Sequence, residues 1–89
     1  MSKIVQRQAT SDEKAQCLGW ELWESGEVDQ FVYRYDQDVQ FVVQDGKAII
    51  YSQFNEPVTI GPGCHVTIRK GVDGVWEISS PIVNRYKYL

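Results

Sequence analysis

A chain of 89 residues with 43% hydrophobic residues can form one domain with a single core and is too short for two. Its formal net charge of -3 argues against a nucleic-acid partner, because phosphate binding needs a basic stripe. No apolar run reaches the length of a membrane span, and the polar first residues lack the apolar segment of a signal peptide. Cys17 and Cys64 are too few for a disulfide framework and fit no zinc spacing, so reduced thiols in the cytoplasm are expected.

The first part of the chain predicts an arm and a short helix. Residues 1–9 are polar and indicate an arm or an edge strand. Thr10 and Glu13 have the spacing of a capping box, in which a hydroxyl and a carboxylate satisfy the first amides of a helix. A helix is therefore predicted over Ser11–Cys17, ended by Gly19, with a polar turn as the alternative.

The middle of the chain predicts four short strands. Trp20–Glu24 is the first, and Val28–Tyr35 alternates so that Phe31, Tyr33 and Tyr35 share one face. Residues 39–44 alternate in the same way. The Asp45-Gly46 pair then has the composition of a type I′ turn and predicts a hairpin whose return strand is 47–52.

The second half predicts strands separated by glycine turns. Asn55–Pro57 is a predicted loop, and 58–60, 64–69 and 74–78 are predicted strands between glycines at 61, 63, 71 and 74. A last strand is predicted over Ile82–Leu89, after Pro81. About eight short strands with turns roughly every 8–12 residues predict an all-β sandwich or barrel.

Three segments carry a resemblance to a known family: WELWESG, YRYDQDVQFVVQDG and TIGPGCHVTIRKGVDGVWEISSPIVNRYKYL. Their order and turn spacing resemble the small cupins of the Cupin_3 (DUF861) family, in the RmlC-like cupin superfamily. The resemblance covers 20–89 and implies a single-domain cupin-type jelly-roll β-barrel there, with 1–19 as an N-terminal arm and short helix. Members include small cupins of unknown function and the cupin domains of ureidoglycine aminohydrolase and of ethanolamine-utilisation proteins, so the family does not fix an activity.

The resemblance also places the positions that hold the metal in other cupins. The two histidine places of the first motif fall on Tyr33 and Tyr35, its glutamate place on Val39, and the histidine place of the second motif on Gly74. First-row transition metals bind imidazole, carboxylate or thiolate groups, and none of these four residues supplies one. No metal and no other cofactor are therefore expected.

By parity with these positions, the barrel interior is expected to contain one set of mainly aromatic residues. These are Phe31, Tyr33, Tyr35, Val39, Phe41, Gly74 and Trp76. One interpretation is a packed aromatic core that stabilises a small barrel. The other is a pocket for a small, flat organic ligand, in which Gly74 leaves room and the two phenols supply hydrogen bonds.

Other reactive side chains are given structural interpretations. The only histidine, His65, is expected at an exposed or edge position, without a nearby acid or cleft for a general base. Cys64 is expected to be a buried, inert thiol. Arg69 and Lys70, with Arg85 and Lys87 nearby, are interpreted as a solvated rim, with an anion site as the alternative.

The sequence leaves three functions open. The first is a metal-free small cupin that binds a small molecule or a partner without catalysis, so no catalytic residue is assigned. The second is a metal-independent enzyme that acts on a small polar metabolite through Tyr33, Tyr35 and Lys70. The third is a structural or regulatory dimer with a packed barrel. A homodimer is expected because edge strands need covering and a two-fold partner is the commonest cover.

Overall fold

The structure is a computed structural model that describes residues 3–53 and 55–89. Over these residues it contains seven strands, one α-helix and a 3₁₀ turn at Cys17–Gly19. Residues 1 and 2 of the predicted arm lie outside the described residues. The elements are β1 (Ile4–Gln8), α1 (Ser11–Gln16), β2 (Glu21–Glu24), β3 (Gln30–Arg34), β4 (Val39–Ser52), β5 (Asn55–Ile60), β6 (Cys64–Ile68) and β7 (Asp73–Tyr88). The prediction of an all-β fold with a short N-terminal helix is confirmed.

Two long strands form the centre of the fold. β4 and β7 pair antiparallel from Val39 opposite Tyr88 to Tyr51 opposite Val75. All the other pairs are antiparallel as well, in the order β1-β6-β4-β7-β2, with β3 on β7 and β5 on β4. Each long strand therefore has different neighbours along its two halves, and the sheet wraps around one core.

The core lies on the inner face of this sheet. Its fully buried side chains are branched aliphatic residues and include Ile50, Ile60, Ile68 and Ile82. β-branched side chains pack well on a pleated surface, which explains why these segments form strands. Strand alternation then sends the intervening residues to the outer face.

The predicted hairpin at Asp45-Gly46 is wrong, because β4 continues through it. Gly46 has the positive φ, 89°, that the Asp-Gly signal requires. It lies against β7, where an added Cβ would fall 2.6 Å from the carbonyl carbon of Pro81 and 2.8 Å from Cα of Ile82. The register of β4 and β7 shifts around Asp45. The pair therefore forms a bulge that bends a long strand, which also needs a positive φ.

A second prediction of separate strands is also wrong. Residues 74–78 and 82–89 belong to one strand, β7, which continues through Pro81. Asn55–Pro57, predicted as a loop, begins strand β5. The Asn55 side chain accepts hydrogen bonds from the amides of Lys3 and Ile4, each at 3.0 Å. These bonds fix the start of β1, which pairs with β6 at the edge of the sheet.

The predicted helix is confirmed together with its capping box. The Glu13 amide donates to Thr10 Oγ1 at 3.1 Å, and the Thr10 amide donates to Glu13 Oε1 at 2.8 Å. Helix α1 and the following turn cover the outer face of the sheet, where Cys17 packs against Ala9 and Val42. No helix of the described residues is long and apolar enough to cross a membrane.

Candidate functional site

One cavity of about 180 Å³ opens from the inner face of the sheet. Its lining comes from β2, β3, the residue after β3, β4 and β7, because alternate residues of each segment point to this face. The lining side chains are Trp23, Phe31, Tyr33, Tyr35, Val39, Phe41, Trp76, Asn84, Tyr86 and Tyr88. This set is called the aromatic cavity below.

The structure brings together six of the seven residues predicted for the barrel interior. Gly74 does not line the aromatic cavity. It lies opposite Tyr33 in the sheet, and a Cβ built on it would be 3.3 Å from Cε2 of Tyr35. The space that Gly74 leaves is therefore filled by the Tyr35 ring, so its predicted role of leaving room for a ligand is wrong.

Four lining residues were missing from the prediction. Asn84, Tyr86 and Tyr88 alternate along the end of β7, so their shared face was visible in the sequence. Nothing local indicates which of the two faces of that strand is inside. Trp23, on β2, is brought to the cavity through its pairing with Asn84.

The floor of the aromatic cavity is buried and held by a hydrogen bond. The Trp76 indole N–H donates to the Tyr35 hydroxyl at 3.0 Å, and both side chains are buried together with Phe41. Burial raises the pKa of Tyr35 well above its ordinary value, so its phenol is neutral. The rim is more exposed. The Tyr88 hydroxyl donates a hydrogen bond to Tyr33, which raises the pKa of Tyr88, and Tyr33 is 43% exposed.

The Asn84 side chain is the polar group of the cavity wall. It is only 4% exposed, and its amide makes no hydrogen bond within the described part of the chain. A carboxamide has two N–H donors and an acceptor oxygen, and buried polar groups are nearly always paired. The aromatic cavity therefore presents a donor and an acceptor that the surrounding residues leave unpaired.

The rings around the cavity are mostly inclined to one another. The plane of the Trp23 ring is inclined by 53° to that of Phe31 and by 59° to that of Trp76, with ring centres 5.5 and 5.9 Å away. The planes of Tyr33 and Tyr35 are inclined by 67°, and their ring centres are 4.8 Å apart. The nearly parallel pair, Phe31 and Trp76, is in direct contact, with centres 5.3 Å apart and planes 22° apart. The lining is thus a set of differently directed faces.

The four positions that hold the metal in other cupins do come together. Tyr33, Tyr35 and Val39 line the cavity, and Gly74 lies against Tyr35. Two phenols, an isopropyl group and a hydrogen do not fit a divalent metal, which needs imidazole, carboxylate or thiolate donors. No group of three or more histidine, cysteine, aspartate or glutamate residues among 3–53 and 55–89 could hold a metal ion.

The prediction that His65 is exposed is wrong. His65 is 5% exposed on the outer face of β6, under α1. Its Nε2 lies 3.2 Å from Gln40 Oε1 and 3.7 Å from Glu13 Oε2. Burial and the nearby Arg7 lower the pKa of His65. The sequence could not show this, because the helix that covers His65 lies far away along the chain.

A carboxylate therefore lies near His65, although not where a base would reach the aromatic cavity. Glu13 binds Arg7 through both oxygens, at 2.6 and 2.7 Å. The Arg7 hydrogen bonds and the Thr10 amide lower the pKa of Glu13 to about 2. Because strand alternation sends His65 to the face opposite Val66 and the core, this group is separated from the cavity by the sheet.

The remaining candidates are dispersed. Cys64 is half-buried rather than buried, while Cys17 is fully buried and burial raises the pKa of its thiol. Arg69 forms an ion pair with Asp38 at 3.3 Å. Arg85 is half-buried and donates to the Trp20 carbonyl at 3.4 Å, so it does not belong to a solvated rim.

Comparison with known proteins identifies the fold. Residues 13–86 match the family model of the EutQ-like cupin domain, Cupin_3. A DUF861 family protein from Thermotoga maritima has a similar structure, with a TM-score of 0.87 and 23% identity over 97% of this chain and 99% of that chain. A protein assigned as ethanolamine utilization protein Q from Salmonella typhimurium has a TM-score of 0.61 and 15% identity over 98% of this chain and 58% of that chain. No curated protein matches this chain. The cupin-type jelly roll is confirmed.

Proposed function

Because this chain belongs to the EutQ-like cupin domain family, whose fold does not determine an activity, we propose a function from its cavity. The protein binds a small organic molecule in the aromatic cavity, without a metal ion and without catalysis. The observation that carries this proposal is the Asn84 amide, which faces the aromatic cavity without a hydrogen-bond partner among the described residues, in a wall that is otherwise apolar or aromatic.

The Asn84 amide has an energetic consequence. Its polar atoms face the open cavity, where either water or a ligand can hydrogen-bond to them. A ligand that exchanges hydrogen bonds with the amide keeps it paired and also covers the aromatic rings, whose burial favours binding. Polar groups placed singly in an apolar cavity are the usual arrangement of a small-molecule site.

The cavity volume limits the ligand. At on the order of 30 Å³ of liquid volume per water molecule, about 180 Å³ corresponds to roughly six water molecules. Drug-sized ligands occupy pockets of roughly 300–1,000 Å³. The proposed occupant is therefore a small metabolite, or one end of a larger molecule whose remainder lies outside the mouth.

The residues around the cavity favour binding over catalysis. The titratable side chains of its lining are tyrosines, and burial holds the pKa of Tyr35 far above neutral pH. General acid-base catalysis is most effective when the pKa lies near the working pH. Lys70, the third residue of the metal-independent enzyme considered above, does not line the cavity. Binding without catalysis is therefore the better-supported function.

The metal-free state is part of this proposal and rests on the donor chemistry of Tyr33, Tyr35, Val39 and Gly74. Elemental analysis of protein purified without chelator and without an affinity tag tests it. We expect less than stoichiometric iron, manganese, zinc and nickel. A stoichiometric metal that is lost in the Tyr33→Phe/Tyr35→Phe variant would contradict it.

Binding can be located with the tryptophans of the protein. Two of its three tryptophans, Trp23 and Trp76, line the cavity, while Trp20 packs against the cluster under α1. A set of small neutral and charged compounds is titrated into ¹⁵N-labelled protein and followed by the indole N–H signals. A ligand in the cavity should shift the Trp23 and Trp76 signals and leave the Trp20 signal in place.

Two variants complete this test. Asn84→Leu keeps the volume of the side chain and removes its amide, so polar ligands should bind more weakly to it. Thr67→Val removes a hydroxyl from the opposite face of the sheet and should bind the same ligands as the unmodified protein. Failure of every compound to move the cavity signals, or unchanged binding in Asn84→Leu, would contradict the proposal.

We also propose a homodimer. Strand β1 lies at one end of the strand order and β2 at the other, and the described residues include exposed apolar side chains near both edges, among them Val5 and Leu22. Such edges need covering. Light scattering at micromolar concentration tests this, and a mass near the 10.2 kDa of one chain would contradict it. The cytoplasmic location also stays a prediction; both thiols are free.

A further inference from the structure

The aromatic cavity is rich in electron-rich faces and lacks positive charge. Of the ten described residues that line it, eight are aromatic and none is lysine, arginine or histidine. The face of an aromatic ring is the negative end of its quadrupole, so such faces attract a cation held within about 6 Å of the ring centre. The lining therefore has the chemistry of a cation site.

The orientation of the rings favours a rounded occupant. A flat ring binds best between two parallel rings, and the nearly parallel pair here, Phe31 and Trp76, is closed by direct contact at 5.3 Å. The other ring pairs at the cavity are inclined by 34° to 76°. Faces that point in several directions surround a rounded group, so this geometry does not suit the flat ligand of the pocket interpretation.

Two acidic residues neighbour residues that line the cavity. Asp36 follows Tyr35 directly, and its carboxylate is close enough to Tyr88 to raise the pKa of that phenol. Glu21 lies opposite Tyr86 and on the same face of β2 as Trp23. Both side chains are exposed, so their charges act on a ligand as it enters.

The basic residues that neighbour the lining in sequence are directed away from it. Arg34 lies between Tyr33 and Tyr35 and pairs with Asp73 at 3.0 Å. Arg85 and Lys87 alternate with Asn84, Tyr86 and Tyr88, and strand alternation sends both to the opposite face, where Arg85 donates to the Trp20 carbonyl. The cavity is thus next to acids and separated from these three bases by the sheet.

From these observations we propose that the aromatic cavity selects an alkylated ammonium cation over a neutral molecule of the same shape. The proposal rests on the proposed function and names its ligand class. The ring faces hold the cation, and the Asn84 carbonyl oxygen accepts a hydrogen bond from a hydroxyl or N–H group of the same ligand. A trimethylammonium group is rounded and suits a volume of about 180 Å³.

The test compares two probes that differ in charge alone. Choline and 3,3-dimethylbutan-1-ol have the same shape, because a carbon atom replaces the charged nitrogen in the second. Each is titrated into the unmodified protein and followed by the Trp23 and Trp76 indole signals. We expect choline to bind about tenfold or more tightly than the neutral alcohol, as a desolvated cation–π contact implies.

Two pairs of variants show where the selectivity comes from. Trp23→Leu removes a wall ring and should abolish most of the preference for choline, while Trp20→Leu, outside the cavity, should keep it. Asp36 is exposed, so the Asp36→Asn variant should fold normally. It should weaken choline binding roughly two- to threefold at low salt. That effect should disappear in 1 M salt, whereas the preference carried by the ring faces should persist.

The outcomes separate this inference from the proposed function. Equal affinity for the two probes overturns the cation preference and leaves the binding site in place. The cation preference is also overturned, and the binding site kept, if neither probe binds but a neutral compound from the set titrated above shifts the Trp23 and Trp76 signals. If no compound of either kind moves these signals, both proposals are overturned.

Discussion

Phe41 and Val42 are neighbours on β4, yet they belong to two regions with opposite chemistry. Phe41 faces the aromatic cavity, and Val42 lies under α1 with Cys17 and Ala9. The region under α1, with His65 and Glu13 beside this cluster, is called the helix-covered face. The two regions share β4, β7 and the same sheet.

The polar groups of the two regions differ in their hydrogen-bond partners. On the helix-covered face, His65 lies within hydrogen-bond distance of Gln40, and Glu13 binds both Arg7 and the Thr10 amide. In the aromatic cavity, the Asn84 amide has no such partner among the described residues. The helix-covered face is not fully paired, because Arg85 donates one N–H to the Trp20 carbonyl and keeps a buried Nε without a partner. The two faces therefore differ in what most of their polar groups meet: protein partners under α1, and an open cavity around Asn84. This difference supports the proposal that the cavity is the binding face.

The largest expected effect is a loss of stability that affects both regions together. Gly46 lies in the bulge where the register between β4 and β7 shifts, with a φ of 89°, and a Cβ there would overlap the backbone of Pro81 and Ile82. We expect Gly46→Ala to reduce the free energy of unfolding by roughly 3–5 kcal/mol, since the strain of the positive φ adds to a backbone clash. Urea unfolding measures this.

Gly71→Ala is the matched control for that variant. Gly71 also has a positive φ, 96°, but nothing lies within 4 Å of its added Cβ. Gly71→Ala should lower the free energy of unfolding by roughly 1–2 kcal/mol, because only the backbone conformation is strained. Equal losses in the two variants would show that the contact between Gly46 and Pro81 is not what bends the sheet.

The bulge at Gly46 also shows what the sequence could predict. The alternation of Phe31, Tyr33 and Tyr35 located most of the cavity, because strand parity is a local property. Asp45-Gly46 predicted a hairpin because a turn and a bulge require the same positive φ, and the choice depends on Pro81, far along the chain.

The burial of His65 and the inward face of Asn84 are long-range properties of the same kind. His65 is covered by a helix from the N-terminal part of the chain, and the inward face of Asn84 depends on the pairing of β7 with β4 and the register shift at the bulge. No local pattern contains either fact. His65 and Asn84, which distinguish the two regions, are therefore residues whose burial could not be predicted from the sequence.

The next effect concerns the floor of the aromatic cavity. Tyr35→Phe leaves the Trp76 indole N–H without its acceptor in a buried place, so we expect a loss of about 1–3 kcal/mol in the free energy of unfolding. Tyr33→Phe, on the exposed rim, should cost less than about 0.5 kcal/mol. Equal stability of the two variants would mean that the floor is as open to water as the rim.

A smaller effect compares the two regions directly through isosteric substitutions. Val42→Thr places a hydroxyl in the packed cluster under α1 and should cost about 1–2 kcal/mol. Val39→Thr places one at the aromatic cavity, where water can hydrogen-bond to it, and should cost less. Val32→Thr, at a 68% exposed position, gives the baseline. A larger loss for Val39→Thr than for Val42→Thr, measured by thermal unfolding, would reverse the comparison.

The smallest effect is the acid dependence of the helix-covered face. The Arg7 hydrogen bonds, followed by the Thr10 amide, lower the pKa of Glu13 from 4.5 to about 2. A carboxylate whose pKa is lower in the folded protein stabilises the fold above the unfolded pKa, and this contribution is lost as the pH falls toward the folded value. Glu13→Gln should therefore unfold at a lower temperature than the unmodified protein at pH 7, and the difference should shrink between pH 4.5 and pH 2.

His65 adds a second loss of stability at acid pH, which begins near pH 6.5, above the range in which Glu13 titrates. Burial lowers the pKa of His65 below its ordinary 6.5, so the fold favours the neutral ring and loses stability as the pH falls through 6.5. Arg7→Gln removes the main cause of the lowered Glu13 pKa. Below pH 4.5, the unfolding temperature of this variant should therefore depend as weakly on pH as that of Glu13→Gln. Because the ion pair is exposed, 1 M salt should reduce the difference at pH 7. A temperature difference that stays constant from pH 7 to pH 2 would show that Glu13 acts through packing and not through its charge.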